Sequence, residues 1–120
     1  MLKKTLVLGA SLKPERYSNL AIRRLRSHDQ PVVAVGLREG IIDDVKVLTG
    51  MPPLEGIHTI SVYMNAKNQQ QFQEYMLGLK PSRIIFNPGA ENPVFAARAA
   101  ASGIEVEEAC TLVMLSIDAF

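Results

Sequence analysis

Tryptophan is absent from this 120-residue chain, cysteine occurs once and histidine twice. The lone Cys110 excludes an internal disulfide and fits a reducing compartment, so a cytoplasmic protein is expected. With only His28 and His58, imidazoles for catalysis or metal binding are scarce, and no cluster of His, Cys, Asp and Glu has metal-ligand spacing. A formal charge of +1 excludes a bulk basic surface of the kind that holds nucleic acid, while leaving room for a local anion pocket. No apolar run approaches membrane-spanning length, and Met1-Leu2-Lys3-Lys4 passes straight into a strand-like run, so neither a membrane segment nor a signal peptide is expected. What remains is ordinary for a globular protein: 48% hydrophobic and 21% charged residues, in a length that suits one domain over residues 1–120.

The most informative stretch is residues 6–18, Leu-Val-Leu-Gly-Ala-Ser-Leu-Lys-Pro-Glu-Arg-Tyr-Ser. An apolar run meets a glycine, then small polar and cationic residues, then Ser18, placed to cap a helix. This is the pattern of a strand ending in a phosphate-binding turn. Gly9 lets the backbone approach a ligand, and the N–H groups opening the helix favour an anion. Lys13 and Arg16 add charge-assisted donors. The stretch is not the Gly-x-Gly-x-x-Gly fingerprint, because Ser11 and Lys13-Pro14 stand where further glycines belong.

Further along, Thr5–Leu8 reads as a buried strand. Ser18–Ser27 reads as a helix with Ala21, Ile22 and Leu25 on one face. Val32–Val35 is a second strand. Gly36–Gly56 reads as a long connection with a minor strand near Val45–Leu48. Ile57–Met64 alternates as a third strand. A helix follows over Ala66–Leu79, with Phe72, Tyr75, Met76 and Leu79 as its core stripe. Arg83–Phe86 is a fourth strand. Asn92-Pro93 starts a helix over Val94–Ser102 that Gly103 closes. Glu105–Ala109 is a charged edge strand, and Thr111–Ile117 an apolar segment with helical potential. The alternation predicts an α/β Rossmann-like three-layer sandwich with a five-stranded, mainly parallel sheet in the order 3-2-1-4-5.

In such a sheet the ligand crevice lies at the switch in strand order, beyond the carboxyl ends of strands 1 and 4. Those ends are Gly9-Ala10-Ser11 and the loop Asn87-Pro88-Gly89-Ala90-Glu91-Asn92. Strand 2 ends in Val35-Gly36-Leu37-Arg38, where a cationic residue suits a phosphorylated ribose, as in NADP or coenzyme A. Strand 3 ends in Tyr63-Met64-Asn65, which reads equally as an apolar wall for an adenine or as core packing. His28 and His58 fall near the opposite rim, and Cys110 reads as a packed thiol. No catalytic residue is assigned.

These residues resemble the small stand-alone CoA-binding proteins with a Rossmann fold, which are similar to the CoA-binding domain of the succinyl-CoA synthetase alpha subunit. The resemblance rests on Gly9-Ala10-Ser11 with Lys13-Pro14-Glu15-Arg16-Tyr17-Ser18, and on Glu108-Ala109-Cys110-Thr111-Leu112. The chain departs from that family's pattern at Asn87-Pro88-Gly89 and across Gly36–Gly56. The resemblance implies coenzyme A or an acyl-CoA, with its pyrophosphate near Gly9–Ser11 and the helix at Ser18. Lys13, Arg16 and Arg38 become phosphate partners, and Tyr63–Asn65 flank the adenine. It does not imply a ligase activity, and the first reading is a binding module acting as carrier, sensor or partner subunit. An NADP-dependent oxidoreductase and a ligand-free interaction domain stay open as alternatives. An edge strand and an apolar tail ending in Phe120 are compatible with a homodimer or another protein partner.

Overall fold

The computed structural model describes residues 2–120. Its strands are β1 (Thr5–Ala10), β2 (Val32–Gly36), β3 (Gly40–Ile42), β4 (Val45–Leu48), β5 (Thr59–Val62), β6 (Arg83–Phe86) and β7 (Glu105–Glu108). Its helices are α1 (Tyr17–Ser27), α2 (Ala66–Gln69), α3 (Gln73–Gly78), α4 (Pro93–Ala101) and α5 (Thr111–Ser116), with a 3₁₀ turn at Gln70–Phe72. The seven strands form one sheet in the order β3-β4-β2-β1-β5-β6-β7. Every pairing is parallel except β3 with β4.

Alternation along the strands divides the core into two layers. Leu6, Leu8, Ile60, Val62, Ile84 and Phe86 join Met76 of α3 and Phe95 and Ala99 of α4 in one cluster. Val7, Ala34, Val45 and Val47 join Ile22 and Leu25 of α1 and Leu115 of α5 in the other. Residues in register on neighbouring strands therefore point the same way, which yields the expected three-layer α/β sandwich.

The strand count and order differ from the expectation, and the cause lies in residues 36–56. That connection holds two strands, joined by a tight turn in which Asp43 takes φ +52°, a left-handed conformation that Asp tolerates. Strand β4 pairs with β2 through Ala34 and Val35, taking the place expected for Ile57–Met64. The chain then crosses to β5 on the other side of β1. Counting only strands parallel to β1, the order becomes 3-2-1-4-5-6, so the switch in winding falls between β1 and β5.

Helix boundaries follow their local chemistry. Asn92 caps α4 by accepting from the Phe95 N–H at 3.2 Å, with Pro93 in the first turn. At the other end Gly103 adopts φ +86°, its N–H donates to Ala100, and that of Ile104 donates to Ala99. Both bonds belong to a Schellman closure, with buried Ile104 as its apolar contact. The helix expected over 66–79 is instead interrupted by the 3₁₀ turn, although Met76 is fully buried and Phe72, Tyr75 and Leu79 pack against the same core.

Candidate functional site

At the carboxyl end of β1 the chain makes a compact loop. Ser18 does not cap α1. The helix begins at Tyr17 with Arg16 as its N-cap and no side-chain cap bond. Ser18, buried, accepts from the Ser11 N–H at 3.2 Å, and the Asn19 amide donates to the Ser11 carbonyl at 2.9 Å. The Ser11 hydroxyl accepts from the Lys13 N–H at 3.2 Å, and the Arg16 N–H donates to the Lys13 carbonyl at 3.1 Å. Arg23 ties Asn19 to the Pro14 carbonyl, both contacts at 2.9 Å. The loop is thus folded against the start of an 11-residue helix whose first N–H groups have no acceptor within the helix. Lys13, Arg16 and Tyr17 stay exposed, and neither cation forms an ion pair among the described residues.

Gly9 sits where this loop meets the end of β5. Its φ of +94° suits glycine, and a Cβ there would lie 3.2 Å from both the Tyr63 carbonyl carbon and the Met64 nitrogen. The missing side chain therefore makes room for the main chain at Tyr63 and Met64, just past β5. Gly36 is held the same way, since a Cβ on it would lie 2.2 Å from the Ala10 carbonyl oxygen. The sequence reading gave Gly9 a close approach to a ligand; the close approach visible within the fold is to the end of the neighbouring strand.

The switch point corrects the expected pair of loops. Gly9–Ser11 faces Tyr63–Asn65 across the β1–β5 junction, while Asn87–Ala90 follows β6, one strand further out. Asn87, only 1% exposed, is fully engaged in the fold. Its amide nitrogen donates to the Ser61 hydroxyl at 2.9 Å and the Val62 carbonyl at 3.0 Å, and its oxygen accepts from the Thr111 N–H at 2.8 Å. Ala90 is buried too, leaving Pro88 and Gly89 as the exposed part of that loop.

Tyr63 packs with the α1 and α5 layer and Met64 with the opposite one, so the two straddle the sheet edge. The Tyr63 hydroxyl is buried near those of Ser61 and Thr111 but completes no hydrogen bond. Burial pushes its pKa up to about 12 against a smaller opposing pull from the two hydroxyls. Asn65 is exposed and caps α2, its oxygen accepting from the Asn68 N–H at 2.9 Å.

Gln69 was missed by sequence reasoning. It is fully buried, and its amide nitrogen donates to the Met64 carbonyl at 2.8 Å and the Ala90 carbonyl at 2.7 Å. Its oxygen accepts from Asn92 at 2.9 Å. One side chain thereby joins the β5 loop, the β6 loop and the cap of α4. No local signal marks it, because glutamine in a helix is ordinarily solvated.

Arg38 lies two residues beyond β2 and is exposed beside Leu37. Cys110 is half-buried at the N-cap of α5. His28, after α1, and His58, before β5, lie toward the amino ends of the strands, as the sequence suggested.

The chain belongs to the CoA binding domain family, whose model matches residues 3–116. A crystal structure of an uncharacterized protein, 42% identical, superimposes with a TM-score of 0.97 over 100% of this chain and 99% of that one. Cell-free ID.343 from Thermus thermophilus is 21% identical with a TM-score of 0.86, over 99% of this chain and 91% of its own. A hypothetical protein from Pyrococcus horikoshii OT3 is 19% identical at the same TM-score, over 97% and 83%. The last two likenesses bear on the fold alone. No curated protein matches the chain.

Proposed function

We propose that this chain, as one domain, binds coenzyme A or an acyl-CoA at the β1–β5 rim and acts as a carrier, sensor or partner subunit. The observation that carries this reading is the family match across residues 3–116. The donor chemistry fits a polyphosphate ligand. Among the described residues Lys13 and Arg16 form no ion pair, on a loop braced against a helix N-terminus, and neither does Arg38 past the end of β2. By contrast Arg23, Arg26, Arg83 and Arg98 are tied to Asn19, Asp44, Glu107 and Glu74.

In this reading the α1 N–H groups, Ser11, Lys13 and Arg16 hold the pyrophosphate, and Arg38 takes the ribose phosphate. Gly9, Ala10, Ser18 and Gly36 shape the floor beneath. Tyr63, Met64 and Asn65 form the wall beside the adenine, with Pro88 and Gly89 at its outer end. Asn87, Ala90 and Gln69 act indirectly, by fixing the loops. The ligand brings its own thiol or thioester, and these residues bind and orient it. Cytoplasmic residence belongs to the same proposal. A homodimer keeps only the edge-strand argument, because Phe120 folds back onto the sheet and is no free tail.

Thermal unfolding with CoA, dephospho-CoA, NADP and NAD in parallel tests the reading. A ligand at a hundred times its dissociation constant, binding only the native state, stabilises by about 2.7 kcal/mol. For a chain of 120 residues that is a shift of roughly 10 °C. CoA should give it and NAD should not. Equal shifts with NADP, or none with CoA, would overturn the assignment.

A further inference from the structure

Helix α4 is apolar on both sides, and only one side is covered. Phe95 and Ala99 are buried in the core, while Pro93, Val94, Ala97, Ala100 and Ala101 are exposed. A helix that is apolar all round is ordinarily enclosed by protein. Helix α1 is the contrast, because Arg23, Arg24 and Arg26 lie outside its core stripe. The single charge on α4 is Arg98, and its guanidinium is paired with Glu74 of α3.

Three positions on the outer side form a row. Val94, Arg98 and Ser102 are four residues apart, so they follow one ridge of the helix. At the amino end of the row Val94 protrudes, 84% exposed. At the carboxyl end Ser102 borders an open hollow of about 370 Å³ between the ends of α3 and α4, lined also by Leu77, Lys80, Pro81, Gly103 and Ile104. The Arg98–Glu74 pair lies midway, open to solvent. Knob and hollow are each about 6 Å from Arg98 along the axis, at a rise of about 1.5 Å per residue.

That spacing is self-complementary. A second copy turned about a two-fold axis near Arg98 runs its α4 antiparallel to the first, and each Val94 then falls over the other copy's hollow. The charges agree with the same arrangement. Two Arg98 and two Glu74 surround the axis, so each guanidinium has a carboxylate on either side, and Glu91, one turn before Val94, is carried toward Lys80 at the hollow. The β7 edge is the poorer seat, because pairing two copies of it brings Glu105 and Glu108 against like charges.

We propose that the outer face of α4, with the adjoining end of α3, is the interface for a second copy of this chain, paired antiparallel with each Val94 seated in the other's hollow. The alanines between let the two helices approach closely. The contact is short, which makes the dimer concentration-dependent, and it does not rest on the CoA assignment.

Sedimentation velocity without CoA, from about 1 to 500 µM protein, spans the affinities that a short interface gives. The native mass should rise toward that of a dimer across the series. Val94→Asp should weaken association at least about tenfold. An acid in the first turn favours the helix, so this variant keeps its fold, as circular dichroism checks. Arg98→Glu or Glu74→Arg alone leaves four like charges around the axis and should weaken association, while the two together should restore it to within about threefold of native. Ile41→Asp, on the open β3 edge where Ile41 is exposed, should leave association unchanged. A native chain that stays monomeric throughout overturns the proposal. Native-like association by Val94→Asp overturns it, as does loss of association in Ile41→Asp or a charge exchange no stronger than the single reversals.

Discussion

Three glycines allow the reason for Gly9 to be measured. Gly89 has φ +91° with nothing within 4 Å of an added Cβ, so Gly89→Ala reports the backbone conformation alone. A non-glycine residue held there costs about 1–2 kcal/mol. Gly9 has nearly the same φ, +94°, plus the 3.2 Å approach to Tyr63 and Met64. Those are main-chain atoms of a paired strand end, where the Tyr63 N–H donates to the Leu8 carbonyl at 2.9 Å, so they yield only by disturbing the β1–β5 junction. A further ~1 kcal/mol is expected, about 2–3 in all. Gly36 needs no left-handed φ, but its added Cβ falls 2.2 Å from the Ala10 oxygen, which forces β2 away from β1 and costs more than ~3 kcal/mol. Unfolding entropy of about 2.1 cal/mol/K per residue converts 1 kcal/mol into roughly 4 °C at this length. Thermal unfolding should therefore rank the losses Gly36→Ala, then Gly9→Ala at about 8–12 °C, then Gly89→Ala at about 4–8 °C. Gly9→Ala melting within about 2 °C of native while losing CoA would refute this and restore the ligand as the reason for that glycine.

Other expectations concern the groups around the rim. Asn87→Ala leaves the buried Thr111 N–H and Ser61 hydroxyl short of partners and should cost about 2–3 kcal/mol in urea unfolding, with a loss under about 0.5 showing that water replaces the amide. Tyr63 has a folded pKa near 12 against an unfolded value of 10, so its contribution is complete below pH 10 and is lost as pH rises through 12. That loss is about 2–3 kcal/mol, and Tyr63→Phe should remove it while leaving stability at pH 7 unchanged or slightly higher. Tyr75, also raised by burial, titrates in both proteins, so their difference isolates Tyr63. Identical alkaline profiles would show the phenol to be solvated. Arg38→Ala should weaken CoA at least about tenfold while sparing dephospho-CoA, and equal losses for both would move phosphate recognition to Lys13 or Arg16.

Features encoded within a few residues were legible in the sequence. Asn92-Pro93 and Gly103 bound α4 because capping and the left-handed C-terminal position are local demands. The alternation of Thr59, Ile60, Ser61 and Val62 likewise marks a strand between two layers. Val45–Leu48 was legible as a minor strand, which is β4, but β3 and the place of β4 beside β2 were obscured, because both strands are short and are held by pairing with each other and with β2. Missing that hairpin moved Ile57–Met64 to the wrong side of β1 and so selected Asn87–Ala90 as the second lip. The bonds of Asn87 reach Ser61 and Thr111, 26 and 24 residues away, and no local pattern reports them. The seat of Phe120 on Arg83 is 37 residues distant and equally silent.

The rim separates two kinds of polar residue, and that separation supports a binding module. Asn19, Gln69, Asn87 and Asn92 are buried, and each is hydrogen-bonded to main chain of a different element or rim loop. Such bonds fix loop positions before any ligand arrives, which lowers the ordering penalty of binding. Lys13, Arg16 and Arg38 are exposed and carry no ion pair among the described residues, so an incoming phosphate displaces water and breaks no protein contact. Lys67, which sequence reasoning passed over, is likewise exposed, in the first turn of α2 after the β5 loop. The one buried phenol at the junction, Tyr63, holds its proton well beyond neutral pH and is poorly suited to proton transfer. A rigid polar frame carrying exposed cations suits the polyphosphate ligand proposed above.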